Sequence, residues 1–270
     1  MTATHKMCVI IPVHKEYLSA EERTSLSACW LHLQKYDCFL LFPEGLNTNN
    51  YVAIHPQLIL KSLPAEWLSS LQNYNRMKVN PQFYAMFNNY HFMMTYELDA
   101  CIFSSNVEEK FGFDFDFIGA PVFEDGMNTP GTAFNHALNS GFSVRNICAC
   151  AKALVLLKKY RSAWKRKRFV FSNFQFLRRF IEPYKLNLIY NDHLTGYFRN
   201  GYFNEDIILS QIVPQLFSFF RVAPFEKAVA FSFEVNPEQL YKINNNHLPL
   251  GCHAWAKFYS FWEKFIDIKK

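Results

Sequence analysis

Glycine and proline are scarce in this sequence, with 9 and 12 among 270 residues. Charged residues are also few, at 19%, whereas half of the chain is hydrophobic. This composition excludes collagen-like, low-complexity and largely disordered chains. No stretch has the roughly 18 consecutive apolar residues needed to span a bilayer, and the first apolar run is too short for a secretion signal. We therefore expect a folded, cytoplasmic protein.

The seven cysteines are odd in number, and most lie within apolar runs. Such a set favours buried thiols in a reducing compartment over a disulfide framework. Cys148 and Cys150 lack the second pair of ligands that a zinc site needs, so no zinc cluster is expected there.

The common catalytic and nucleic-acid motifs are missing as well. The sequence has no GxSxG elbow, no GxxxxGK[ST] loop and no GxGxxG fingerprint. The net charge of +5 suggests an anionic partner. Zinc-finger, RNP and arginine-repeat patterns are absent, so nucleic acid is not the expected one.

What the chain does contain is an alternation of strand and helix patterns. Apolar runs at 7–13 and 38–42 predict buried strands. Between them, Ser19 and Glu22 form a capping-box pattern for a helix that ends near residue 34. This strand–helix–strand order predicts an α/β fold with a mixed, mostly parallel sheet flanked by helices. Further strands are predicted at 58–63, 90–98, 101–103, 117–120 and 140–144, a loop at 124–135, and helices from 64, from 81, and at 146–160, 169–181, 204–216 and 253–268.

Asp99 follows the predicted strand at 90–98. Ligands of open α/β sheets bind at the carboxyl ends of the strands. A carboxylate at that position can hold a metal ion or a ribose hydroxyl, or it can simply cap a turn. Position alone leaves these alternatives open.

Several short motifs in a fixed order resemble the DUF5672 family, which is grouped with GT-A-type glycosyltransferases. The motifs are Ile10-Ile-Pro-Val13, Phe42-Pro-Glu-Gly-Leu46, Tyr96-Glu-Leu-Asp-Ala100, Phe117-Ile-Gly-Ala-Pro121, Asn139-Ser-Gly-Phe-Ser-Val-Arg145, Glu205-Asp206, Phe231-Ser-Phe-Glu234 and Leu250-Gly-Cys-His-Ala-Trp255. The resemblance implies one GT-A-like domain over 1–270, with a nucleotide-binding half at about 1–120 and an acceptor half at about 121–270. It also implies transfer of a sugar, of the hexosyl kind, from a nucleotide-sugar donor to a glycan or lipid-linked glycan, in surface polysaccharide or lipooligosaccharide synthesis.

The same resemblance implies a donor and metal site at Asp99. GT-A enzymes use an Asp-x-Asp motif to hold the donor ribose and a Mn²⁺ or Mg²⁺ ion. Cys101 replaces the second acid, and a thiol is a poor ligand for these ions. Glu97 can replace it only if a regular strand runs through both residues. His253 is a second metal or diphosphate candidate, with packing among aromatics as its alternative, and a metal-independent site stays open.

Further donor contacts are implied at Pro12, Val13, His14, Arg76, Asn139, Gly141 and Arg145. The first three would line the nucleobase pocket, although His14 can equally be a surface residue. Arg76 would clamp phosphate or stand exposed. Gly141 would let the sugar approach the backbone or form a simple bulge, and Arg145 would pair with phosphate or with a core acid.

Asp206 and Glu205 are the catalytic candidates, with Asp206 preferred. In inverting GT-A enzymes a carboxylate near this point takes the proton from the acceptor hydroxyl. An acid at a helix N-terminus also complements the helix dipole, which is the structural alternative. A non-catalytic nucleotide- or glycan-binding module is the rival function.

Residues 158–179 combine cations with aromatic residues. A half-buried core helix is the first interpretation of this stretch. Peripheral contact with the cytoplasmic face of a membrane is the second, and nucleic acid is a distant third.

Overall fold

A computed structural model describes residues 5–108, 113–123, 134–173, 194, 196–198 and 204–268. Its main sheet has six strands in the order β3-β2-β1-β4-β7-β6. The first four of these are parallel: β1 (His5–Pro12), β2 (Asp37–Pro43), β3 (Ile59–Leu63) and β4 (Tyr90–Tyr96). Residues 7–11 of β1 are all buried, so both faces of this strand lie in the core, which explains their continuous apolar run.

Two antiparallel strands complete this sheet. β7 (Phe134–Asn146) lies between β4 and β6 (Phe117–Phe123) and runs against both of them. Both strands are longer than predicted, so residues 134 and 135 belong to β7 and not to a loop. Residues 124–133 of the predicted loop lie outside the described residues. The predicted mixed, mostly parallel sheet is confirmed.

The helix signals of the first hundred residues are confirmed. α1 (Ala20–Leu33) begins with the full capping box between Ser19 and Glu22. Asn80 caps α4 (Pro81–Ala85), and Pro81 occupies its first turn. Between them lie α2 (Asn49–Val52), a 3₁₀ turn (Ala65–Leu68) and α3 (Leu71–Lys78).

One long helix, α5 (Ile147–Asn173), replaces the two helices predicted at 146–160 and 169–181. Residues 161–168 contain neither proline nor glycine, so nothing in the sequence interrupts the helix there. Residues 174–181 lie outside the described residues.

The third predicted helix, at 204–216, is a composite. It consists of α6 (Glu205–Ile207), a π-helical turn (Ile208–Ile212) and α7 (Val213–Leu216). Pro214 cannot donate a backbone hydrogen bond, which accounts for the irregular turn before it. Asn204 is the N-cap residue of α6, although its side chain makes no capping hydrogen bond.

A small second sheet packs beside the main one. β5 (Cys101–Ile102), β9 (Gly251–Cys252) and β8 (Ser232–Phe233) lie in the order β5-β9-β8. Helices α8 (Phe225–Phe231) and α9 (Pro237–Ile243) flank β8 along the chain. The sheet brings together three segments of the chain: the one after β4, the one after α8 and the one after α9. It packs on its own apolar cluster, which we call the second apolar cluster.

The predicted helix at 253–268 is wrong. Only a 3₁₀ turn (Trp255–Phe258) and α10 (Tyr259–Trp262) form there. Ala254 has a φ of +49°, which an α-helix does not allow. Trp255 and Trp262 are fully buried in the apolar cluster of the small sheet. Tertiary packing of these side chains, and not helix periodicity, therefore sets the conformation of this segment.

Candidate active site

A tight turn after β4 carries both candidate acids. The strand ends at Tyr96, and Ala100 then donates a backbone hydrogen bond to the Glu97 carbonyl at 2.8 Å. The strand predicted to run to residue 98 is therefore too long. The turn still brings both acids to His253, whose Nε2 lies 3.0 Å from Asp99 Oδ1 and 3.5 Å from Glu97 Oε2. We call Glu97, Asp99 and His253 the acid–histidine cluster.

Cys101 does not take part in this cluster. It lies in β5 opposite Cys252, with its side chain in the second apolar cluster. Burial raises the pKa of its thiol to about 12, so the group is neutral at physiological pH. Glu97, and not residue 101, provides the second side chain with oxygen atoms beside Asp99.

A third acid, Glu234, orients the His253 ring. Nδ1 of His253 lies 3.0 Å from Glu234 Oε1, and Asn139 Nδ2 donates to the same oxygen at 3.0 Å. Nε2 therefore faces Glu97 and Asp99. Burial opposes a charge on this ring, but hydrogen bonding to Asp99, Glu234 and Glu97 raises the pKa of His253 well above its usual value. The cluster thus attracts positive charge.

The cluster fits a divalent cation. One ligand atom from each of Glu97, Asp99 and His253 lies within 4.8 Å of the other two. Two carboxylates with an imidazole form a mixed oxygen and nitrogen set that suits Mn²⁺ better than Mg²⁺, which prefers oxygen alone. Asp99 is 49% exposed and Glu97 26% exposed at their side chains, so solvent reaches the site.

Gly141 allows His253 to approach the sheet. A Cβ atom at position 141 would lie 2.0 Å from His253 Nε2. The glycine is also fixed by its neighbour, since its backbone N–H donates to Asn139 Oδ1 at 2.8 Å. Close approach at Gly141 was predicted from the sequence, but the group that approaches in this structure is the imidazole.

Replacing Gly141 by alanine is therefore expected to push His253 out of the cluster. Mn²⁺ affinity should fall about 10–100-fold, the range for losing support of a metal ligand. Titration with Mn²⁺ followed by isothermal calorimetry measures the effect. Gly45→Ala is the control, because its φ of +88° strains the fold away from the site. Equal affinities in the two variants would contradict the steric role of Gly141.

Helix α3 supports Glu97 from the other side. Tyr74 OH donates to Glu97 Oε1 at 2.8 Å, and Lys78 Nζ lies 3.4 Å from the same oxygen. Burial opposes ionisation, but the charges of Lys78 and His253 hold the pKa of Glu97 well below its usual value. Tyr74 and Lys78 are four residues apart and share one helix face, whereas Arg76 lies between them on the opposite face.

Lys78, Arg145 and Glu205 form a buried ion cluster behind this site. Arg145 Nη1 donates to Glu205 Oε1, and Lys78 Nζ lies 3.1 Å from Glu205 Oε2. The Arg145 and Glu205 side chains are both 0% exposed. Burial opposes ionisation of Glu205, but Arg145 and Lys78 hold its pKa below the usual value. Glu205 is therefore out of reach of an acceptor, and Arg145 pairs with a core acid, the second of its two predicted roles.

Asp206 faces a different environment one residue further along. It is only partly buried, and its Oδ1 accepts a hydrogen bond from the Ile207 backbone at 2.7 Å. Burial and the neighbouring charge of Glu205 raise the pKa of Asp206 to about 6. A carboxyl group that titrates near neutrality suits proton transfer.

The remaining predicted residues lie around the same sheet edge or on α3. Val13 is buried and donates its backbone N–H to Leu41, while Pro12 is partly exposed and His14 exposed. These residues follow β1, the neighbour of β4, and their contact with a nucleobase stays a prediction. Arg76 is exposed and donates to Asn73 at 3.4 Å.

A basic cleft lies beside α3 and α5. It has a volume of about 340 Å³. Four cations line it together with Tyr197: Arg76, Lys158, Arg161 and Lys165. Trp164 on α5 is buried while Lys158 and Lys165 are exposed, as expected for a half-buried helix. Within the described ranges, no helix is both long and apolar enough to cross a membrane. The side chains of 167–179 lie outside the described residues.

Sequence reasoning missed Lys78, Tyr74 and Glu234 as site residues. Tyr74 and Lys78 show the four-residue spacing of one helix face, which was a usable signal. Glu234 lies in a motif of the family resemblance but without an assigned role. Its contact with His253 joins positions 19 residues apart in the chain, which no local pattern reveals.

The fold is that of known sugar transferases. The galactosyltransferase LgtC, solved with donor and acceptor sugar analogs, matches with a TM-score of 0.51 at 12% identity over 98% of both chains. Core-mannan synthase A (CmsA/Ktr4) of Aspergillus fumigatus, in a Mn/GDP form, gives 0.48 at 12% identity, covering 84% of this chain and 74% of its own. A glycosyltransferase that acts in glycosylation of the major capsid of PBCV-1 gives 0.44 at 10%, covering 95% and 99%. At these identities the likeness concerns the GT-A-like fold.

A search of curated proteins found no match. A family model does match, over residues 57–253, and its description is a protein of unknown function, DUF5672. The matched range is well over half of the chain and contains the acid–histidine cluster, the buried ion cluster and Asp206. This chain belongs to the DUF5672 family.

Proposed function

We propose that this protein is a glycosyltransferase that moves a sugar from a nucleotide-sugar donor to a hydroxyl of a glycan acceptor. The acid–histidine cluster at the carboxyl edge of the parallel strands is the observation that carries this proposal. Ligands bind at that edge in open α/β sheets. The fold shared with the galactosyltransferase LgtC supports the same function. The roles proposed below are argued from the residues of this chain.

On the donor side, Glu97, Asp99 and His253 would hold Mn²⁺. When bound there, the ion would neutralise the charge of the donor diphosphate. Tyr74 and Lys78 orient Glu97, while Glu234 and Asn139 orient His253. Residues 12–14, at the end of the neighbouring strand, would contact the nucleobase.

On the acceptor side, we assign Asp206 as the general base. Its carboxylate would take the proton of the acceptor hydroxyl as the new carbon–oxygen bond forms at the anomeric carbon. The bond to the nucleoside diphosphate breaks on the opposite face, so the reaction inverts the anomeric centre. The nearby buried ion cluster keeps the backbone at residue 205 in place, which positions Asp206.

The basic cleft supports an anionic acceptor. Four cations line it, and no acidic residue of the described ranges does so. Asn75 belongs to the cleft lining, and its Oδ1 accepts a hydrogen bond from the Glu205 backbone at 3.3 Å, so the cleft adjoins the proposed base. A lipid-linked glycan carries phosphate that would fit here. We propose such an acceptor, reached at the cytoplasmic face of a membrane during surface polysaccharide or lipooligosaccharide synthesis.

A screen of the purified protein against UDP-, GDP-, CMP- and TDP-sugars, with Mn²⁺ or with EDTA, tests the donor site. One nucleotide class is expected to raise the melting temperature with Mn²⁺ and to lose the effect with EDTA. Asp99→Asn should abolish that shift, whereas Glu108→Gln, an exposed acid paired with Lys6, should keep it. A shift that survives EDTA would contradict the metal site but not the donor site.

Turnover separates the transferase from the rival binding module. The transferase releases free nucleotide when donor and acceptor are both present: a nucleoside diphosphate from UDP-, GDP- or TDP-sugars, or CMP from a CMP-sugar. A protein that binds the nucleotide-sugar but never releases the free nucleotide would be a binding module. Absence of binding to all four classes would overturn the proposed function.

A further inference from the structure

A second group of potential metal ligands lies away from the acid–histidine cluster. Cys29 belongs to α1, Cys38 is the second residue of β2, and His55 follows α2. One ligand atom of each lies within 4.8 Å of the other two. The three residues are 0%, 1% and 1% exposed, respectively. We call them the thiol–imidazole cluster.

His55 is the unusual member. Both of its ring nitrogens are buried, and neither makes a hydrogen bond of normal geometry to any described residue. Trp30 packs against the ring at a centroid distance of 4.8 Å and holds it in place. Buried polar atoms are nearly always paired, because a buried polar atom without a partner destabilises the folded state. One ring nitrogen lies beside the two cysteine sulfurs without a well-formed hydrogen bond, an arrangement that a bound ion would complete.

The cluster is separate from the proposed active site. Cys38 lies at the amino end of β2, whereas the acid–histidine cluster follows the carboxyl end of β4, a strand parallel to it. Because its residues have almost no exposed surface to meet a substrate, the cluster is suited to holding an ion and not to catalysis. Ion binding here would join three segments of the N-terminal half: α1, β2 and the chain after α2.

We propose that Cys29, Cys38 and His55 bind a Zn²⁺ ion that stabilises the N-terminal half of the domain. Thiolate and imidazole are the ligands that zinc prefers. Two thiolates with one neutral imidazole carry two negative charges, so Zn²⁺ gives a neutral complex, while Cu⁺ would leave a buried net charge. Each thiol releases its proton to solvent as its sulfur binds the ion, and a small neutral ligand such as water completes the tetrahedron.

The test measures zinc in the Asp99→Asn background, in which the acid–histidine cluster is weakened and the thiol–imidazole cluster is intact. After dialysis with one equivalent of Zn²⁺ under reducing conditions, about one zinc per chain is expected. Adding Cys38→Ser should lower zinc affinity at least tenfold. Cys150→Ser is the matched control, since that thiol is also fully buried but lies outside the cluster, and it should retain zinc. Equal zinc binding in both double variants would overturn the proposal.

Measurements on the parent protein keep the test decisive if a cysteine variant does not fold. Co²⁺ in place of Zn²⁺ should show thiolate-to-cobalt charge-transfer absorption, and a spectrum without it would overturn the proposal. In a parallel experiment with Cu⁺ under anaerobic conditions, retention of Cu⁺ but not of Zn²⁺ would overturn the choice of zinc. Mass spectrometry that finds Cys29 and Cys38 oxidised to a disulfide in the freshly isolated protein would also overturn it. None of these outcomes depends on sugar transfer, so the proposed function stands or falls separately.

Discussion

Replacing Asp206 by asparagine is expected to lower the rate of sugar transfer about 10²–10⁴-fold, the usual contribution of a general base. The substitution removes the carboxylate that takes the acceptor proton but keeps its size. Donor binding should change little, because the acid–histidine cluster is untouched. Steady-state rates with saturating donor and acceptor measure the effect.

The same variant is expected to be more stable than the parent at neutral pH. Burial and Glu205 raise the pKa of Asp206 from 3.8 to about 6, so the folded protein disfavours the charged form. The folded state therefore binds more protons than the unfolded state between those values, and stability falls as pH rises from about 4 to about 6. Removing the charge should recover about 1–3 kcal/mol at pH 7.5, after allowance for partial solvent screening.

The sign of this stability change distinguishes the two roles considered for Asp206. If it only complements the helix dipole, asparagine should lose about 0.3–1 kcal/mol, and transfer should be nearly unchanged. Chemical denaturation at pH 5 and pH 7.5 makes the comparison, and the parent's rate should rise with pH through about 6. A less stable but fully active variant would contradict the assignment of Asp206 as the base.

Replacing Glu205 by glutamine is expected to destabilise the whole domain by about 3–5 kcal/mol. The amide leaves Arg145 without a charge partner at a site where both side chains are 0% exposed, and Lys78 is only 3% exposed. Urea denaturation measures the loss, which is large enough to unfold a marginally stable domain at physiological temperature.

Two further variants control this experiment. Glu108→Gln breaks the exposed pair with Lys6, at 3.0 Å, and should cost no more than about 1 kcal/mol. Adding Lys78→Met to Glu205→Gln removes a buried cation that has lost one of its two acidic partners, and it should recover part of the loss. Equal effects of Glu205→Gln and Glu108→Gln would show that the buried cluster does not stabilise the fold.

The acid sensitivity of the parent follows from the same residue. The pKa of Glu205 is lower in the folded than in the unfolded protein. Its stabilisation is therefore complete above the unfolded pKa of about 4.3 and is lost as pH falls through the lower folded value. The Glu205→Gln variant should show a shallower loss of stability in that acid range.

Local sequence determined the framework of this protein. The apolar runs of β1 and β2, the capping box at Ser19 and Glu22, and the Asn80-Pro81 start of α4 are all local signals, and each appears where it was predicted. These signals work because a strand buried on both faces needs a continuous apolar run, and because a helix start needs partners for its free N–H groups. Family motifs added Asp99 and Asp206 as candidates.

Only the tertiary structure decided how the site is assembled. Glu97 and His253 are 156 residues apart in the sequence. They meet because the second sheet brings the turn after β4 next to strand β9. Glu205 and Asp206 are adjacent in sequence but have different environments. The Glu205 side chain enters the core beside Arg145, whereas the Asp206 side chain does not. Cys29, Cys38 and His55 form a cluster only because the fold brings α1, β2 and the chain after α2 together. Contacts between distant segments depend on how whole elements pack, and no local pattern of residues encodes them.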